Sequence, residues 1–132
     1  MQPPFRRVIR AAALLFFAAQ ALAGCVSGVE RPDDCDAPAV ERTAILTDDH
    51  RLDPDAITVC RDQQVTLEVD VQTDGVLHLH GYDDQTSAQE ISAGTPLTMT
   101  FDAVHAGQFV IELHTADGPA GLGVGILTVD AP

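Results

Sequence analysis

Gln64-Val-Thr-Leu-Glu-Val-Asp-Val71 alternates strictly between polar and apolar side chains. Val65, Leu67, Val69 and Val71 share one side; Gln64, Thr66, Glu68 and Asp70 share the other. Successive side chains of a strand point to opposite faces, so this two-residue period predicts a half-buried antiparallel strand. Pro96-Leu-Thr-Met-Thr-Phe-Asp-Ala103 repeats the pattern with Leu97, Met99 and Phe101 inward, and Gly107-Gln-Phe-Val-Ile-Glu-Leu-His114 with Phe109, Ile111 and Leu113 inward. Shorter strands are expected at Thr43–Leu46, Ala56–Val59, Gly75–His80 and Gly125–Val129, separated by turn signals such as Thr73-Asp74-Gly75, Asp83-Asp84 and Ala106-Gly107. Outside the first 24 residues no window carries a 3.6-residue apolar repeat over three turns. About seven short strands at this spacing predict an all-β fold, a β-sandwich.

The other end of the chain reads differently. Three arginines within Met1–Arg10 precede Ala11–Ala23, thirteen nearly all apolar residues. This matches the basic and hydrophobic regions of a secretory signal and is too short to span a bilayer, which takes roughly 20 apolar residues. Leu22-Ala23-Gly24-Cys25 resembles the lipobox of bacterial lipoproteins. That resemblance implies a lipid on Cys25, cleavage before it, and an exported chain anchored to a bacterial membrane on its periplasmic or cell-surface face. Ordinary cleavage after Ala21-Leu22-Ala23 also fits the small-x-small pattern. With three cysteines in the chain, an unlipidated exported form leaves one unpaired. Lipidation of Cys25 instead leaves Cys35 and Cys60, a pair suited to one disulfide in an oxidising compartment.

Loss of residues 1–24 removes three of seven arginines and none of the twenty acids, leaving four against twenty and a net charge of −16. The chain has no lysine. Such a surface repels phosphate backbones, so no nucleic-acid partner is expected; cations and a basic envelope protein are the attracted classes. Solubility alone also accounts for an acidic surface. Residues 25–40 are acidic with two prolines and read as a tether, which Cys35 can pin to the domain; residues 41–132 form one domain.

Within that domain four segments resemble the cupredoxins, the Greek-key sandwiches of blue copper proteins. Leu52-Asp-Pro-Asp-Ala-Ile-Thr-Val59 is similar to the family's opening strand. Gln64–Val71 fits the next strand, although Arg61-Asp62-Gln63 lacks the glycine usual in the turn before it. Val76-Leu-His-Leu-His80 stands where the family has a strand bearing its first histidine ligand, and Ala106–His114, Gly118–Leu122 and Gly125–Val129 resemble the closing strand, ligand loop and strand. The resemblance implies a copper-handling sandwich, yet the blue-copper ligands do not carry over. The cysteine position falls on Leu113, the methionine position on Leu122, and no histidine stands in the loop between them, residues 115–121. A blue centre needs a thiolate, so electron transfer through one is not expected.

The remaining metal-ligating candidates are histidines. His78 and His80, two apart on a strand, point to one face and make a natural pair for copper(II) or zinc. His114, two residues after Glu112 on another strand, can complete the set if the fold brings the strand ends together. His50 and His105 are poorer candidates, and the Asp33-Asp34, Asp48-Asp49 and Asp83-Asp84 pairs read as turns because none has calcium-loop spacing. No nucleophile elbow, zinc-protease helix motif, Cys-x-x-Cys or phosphate loop is present, so no catalysis is expected. Two readings stay open. One is a lipid-anchored envelope protein binding copper or another divalent metal through His78, His80 and His114. The other is a metal-free sandwich, a binding or structural module of the envelope, with Leu77 and Leu79 in the core and the histidines simply in water.

Overall fold

The structure, a computed structural model, describes residues 30–118 and 120–131. The signal segment and Cys25 lie outside the described residues. The alternating segment quoted first forms β4 (Gln64–Val71), with Val65, Leu67, Val69 and Val71 all buried. Around it stand β1 (Ala39–Leu46), β2 (Leu52–Asp53) and β7 (Leu97–Asp102) in the order β2-β1-β4-β7. The second sheet has the order β3-β9-β8-β5-β6, from β3 (Ala56–Cys60), β5 (Gly75–Leu79), β6 (Gln89–Ile91), β8 (Gly107–His114) and β9 (Leu122–Asp130). The all-β Greek-key sandwich expected from the sequence is therefore observed, with nine strands among the described residues rather than about seven. The additions, β2 and β6, are two and three residues long, too short for alternation to register.

Both sheets are mixed, so the antiparallel expectation for Gln64–Val71 holds on one side of that strand only. β4 runs antiparallel to β7 but parallel to β1, and β3 runs parallel to β9. Alternation reports that one face is buried; it carries no information about a neighbour's direction. The core lies between the sheets, where Leu46, Met99 and Phe101 meet Val59, Leu77, Leu79, Ile111, Leu113 and Leu127. Each such leucine or isoleucine contributes about 1.5–3 kcal/mol when fully buried.

β1 begins at Ala39, four residues before the expected Thr43, so the stretch expected as tether runs into the sheet. Residues 34–38 are tied to the sandwich as well. Cys35 is disulfide-bonded to Cys60 at the end of β3. Buried Gln63 accepts from Cys60 N–H at 2.8 Å and donates Nε2 to the carbonyls of Asp34 (2.7 Å) and Ala37 (3.0 Å). Arg42 holds Asp34 through two parallel bonds of 2.9 Å, and this keeps the Asp34 carboxyl below the usual range. The turn that lacked its glycine is made by Asp62 at φ 70°, a left-handed conformation that aspartate tolerates better than most residues.

Candidate metal centre

β5 and β8 are adjacent, and their register decides what the outer face of the second sheet presents. His78 stands opposite Glu112, Val76 opposite His114, and Leu79 opposite Ile111. Parity then sends Leu77, Leu79, Ile111 and Leu113 into the core and His78, Glu112 and His114 outward. His80 follows the last residue of β5 and continues the pairing, its N–H donating to Val110 O at 3.0 Å. Tyr82 does not share this face. The strand stops at Leu79 and turns at Gly81 (φ 82°), which swings Tyr82 into the core against Phe101 and Phe109. The Tyr82 hydroxyl donates to His105 O at 3.0 Å, and burial pushes its pKa up.

Three of the five histidines thus gather on one surface, with a carboxylate among them. The His78 and His80 ring centroids are 4.4 Å apart. His80 Nε2 donates to Glu112 Oε2, and His114 Nε2 lies 3.4 Å from Glu112 Oε1. His78 Nε2 donates to Asp83 Oδ1, and Asp83 is held in the turn by Gly81 N–H at 3.2 Å. The His80 hydrogen bond, aided by the nearby His114 and His78, holds the Glu112 carboxyl below its ordinary pKa; the His78 bond does the same for Asp83. Side-chain exposure is 20% for His78, 46% for His80, 44% for His114 and 21% for Glu112, so all four are open to solutes. Among the described residues no three His, Cys, Asp or Glu side chains converge on one point; the imidazoles are engaged with carboxylates instead.

The other two histidines stand apart. His50 lies in the turn after β1 at φ 62°, and His105 adjoins Tyr82. Nor does the fold supply a blue-copper set. Leu113, at the cysteine position, is buried in the core, while Leu122, at the methionine position, is exposed at the start of β9. Cys35 and Cys60 are bonded to each other, so the described residues offer no thiolate. A thiolate centre does not fit here. Imidazole and carboxylate donors fit a borderline divalent ion such as copper(II) or zinc. Sequence reasoning missed Asp83 as a partner of His78, because that contact exists only once the chain reverses at Gly81.

Solved structures share this arrangement of strands. The chain superposes on a copper binding protein solved in the apo form by NMR with a TM-score of 0.53 at 12% identity, covering 70% of this chain and 89% of that one. The fold is cupredoxin-like. Two larger proteins show the same domain: the Blue Copper Oxidase from Nitrosomonas europaea (TM-score 0.56, 19% identity) and the multicopper oxidase mgLAC (0.57, 18%). In each of these 70% of this chain matches 39% of the oxidase, so the cupredoxin-like chain spans about two-fifths of their length. At such identities the likeness shows the fold alone. No family model matches the chain, and no curated protein matches it.

Proposed function

We propose that this chain is a lipid-anchored protein of the bacterial envelope whose cupredoxin-like domain binds copper(II) or zinc. His78 and His80 supply the donor pair and His114 a third imidazole, and the role is metal handling rather than electron transfer or catalysis. The observation that carries this reading is the gathering of these three histidines on one solvent-facing surface, while His50 and His105 lie elsewhere. The copper binding protein of the same fold supports it. Export and anchoring through Cys25 rest on the lipobox resemblance and the unpaired third cysteine. A bound ion would act as a Lewis acid held by imidazole nitrogen; the protein's part is to present those nitrogens, and Asp83 orients His78 as outer-sphere carboxylates commonly do.

The test is calorimetric titration of the purified protein with copper(II) and zinc, beside the His78→Ala/His80→Ala variant. Micromolar or tighter binding at one site, abolished in the variant, is expected. Equal binding by both proteins would overturn the assignment. A second reading, a metal-free module that binds a basic partner, is favoured by the imidazole–carboxylate pairs, which satisfy the histidines without an ion. It predicts no binding above the weak affinity of an acidic surface.

A further inference from the structure

The described residues expose five large apolar side chains, and three of them meet in one place. Val110 on β8 pairs across the sheet with Ile126 on β9, and Leu122 opens the same strand. Each is between 40% and 48% exposed. Apolar residues scattered singly on a surface need no explanation, whereas a gathered set marks a binding surface. These three line a groove of about 900 Å³, within the range of about 300–1,000 Å³ usual for ligand sites. Its other wall comes from residues 47–55, which join β1 to β3 and contain β2. That wall is built without a partner. Thr47 N–H and Oγ1–H donate to Arg51 O at 2.9 and 2.8 Å, Ile126 N–H donates to Asp55 O at 2.8 Å, and Leu52 is buried. Gly125 permits the close packing, since a Cβ there would stand 2.9 Å from Leu52 Cδ2 and 3.1 Å from Asp55 O.

The second wall is acidic. Asp49, Asp53 and Asp55 stand exposed on it, against one arginine, Arg51, and His50. An apolar floor under a negative rim narrows the choice of occupant. A purely polar cation would leave the floor in water, and an acyl chain with an anionic head would meet the charge of the rim. A second copy would bring another such rim to this one, on a chain of net charge −13. We propose that the groove docks a basic segment of a partner protein, with apolar side chains on Val110, Leu122 and Ile126 and flanking Lys or Arg on the aspartates. The groove lies toward the opposite end of β1, β3 and β9 from the Cys35–Cys60 bond, so residues 34–38 leave it clear. This surface is independent of the metal reading, and it gives the basic partner of the second reading a place to bind.

The test is fluorescence anisotropy of three labelled peptides, Arg-Leu-Arg-Leu-Arg, Arg-Ser-Arg-Ser-Arg and Glu-Leu-Glu-Leu-Glu, titrated with the purified protein. Salt at about 0.15 M limits the pull of the acidic surface at large to about 8 Å. The arginine–leucine peptide should bind about tenfold or more tightly than the arginine–serine peptide, and the glutamate peptide should not bind. Leu122→Ser/Ile126→Ser should weaken the first peptide about tenfold, and Asp49→Asn/Asp55→Asn about threefold or more. Two variants serve as controls and should stay within about twofold of wild type. Val104→Ser removes an exposed apolar side chain outside the groove, and Glu41→Gln/Asp102→Asn removes two exposed carboxylates from the first sheet. Every substituted side chain is exposed, so the melting temperatures should stay within a few degrees of wild type. Equal binding of the leucine and serine peptides, or no binding of either, would overturn the proposal. Tight binding of the leucine peptide that the groove variants leave unchanged would overturn this location and keep a basic partner. A wild-type dimer in sedimentation that Leu122→Ser/Ile126→Ser makes monomeric would give the groove to a second copy instead.

Discussion

The two faces of β5 and β8 are built from the same ten or so residues and do opposite work. Inward, Leu77, Leu79, Ile111 and Leu113 are fully buried and join the core. Outward, one residue along, His78 is hydrogen-bonded to Asp83 and His80 to Glu112, and His114 lies 3.4 Å from Glu112, all within reach of water. The inner residues are held by contacts on all sides, the outer ones by one or two polar partners each. Stability is therefore concentrated on one face and chemistry on the other, and the two should respond to different substitutions.

The sharpest break of this comparison is Leu113→Ala, which deletes a buried side chain at the heart of the inner face. It should cost about 2–5 kcal/mol in chemical denaturation, as large-to-small core changes do. Next comes removal of the Cys35–Cys60 bond, which closes a sequence separation of 25 residues. The chain-entropy relation gives about 3 kcal/mol for such a loop, read as a lower denaturation midpoint in Cys35→Ala/Cys60→Ala. A smaller effect belongs to Asp34. Its pKa is lowered in the folded chain mainly by the hydrogen bond from Arg42, so its contribution is present above the ordinary aspartate range and is lost as pH falls below about 4. Asp34→Asn should cost about 1 kcal/mol or less at neutral pH and flatten the acid limb of a stability–pH curve.

The smallest expected effect on stability is the most telling. His78→Ala/His80→Ala changes only the outer face and should shift unfolding by no more than about 0.5 kcal/mol, while abolishing metal binding. A loss of several kcal/mol would place these histidines with the structural face. The copper(II) form should also be pale in visible absorption, since the described residues offer no thiolate to give an intense charge-transfer band.

Much of this division was legible in the sequence, because a period of two separates the faces of any one-sided strand. Spacing puts His78 and His80 on one face and Leu77 and Leu79 on the other, but with Val76 on the histidine face it leaves open which side is buried; the burial of Leu77 and Leu79 decides it. What spacing could not carry was direction or distance. The parallel pairing of β1 with β4 leaves no trace in alternation. β1 was expected to start at Thr43 because an acidic, proline-containing stretch masks its first residues. Gln63, which bonds three backbone groups, looks like any turn glutamine. In the candidate site the His78–His80 pair was readable from spacing, whereas Asp83 and the pairing of His80 with Glu112 depend on tertiary structure.

Proton NMR of the five histidine imidazoles during zinc titration tests the central claim most directly, since the protein carries its own controls. The account predicts that His78, His80 and His114 resonances shift together and saturate at one equivalent, while those of His50 and His105 stay in place. Five histidines moving in parallel, or movement confined to His50 and His105, would contradict it.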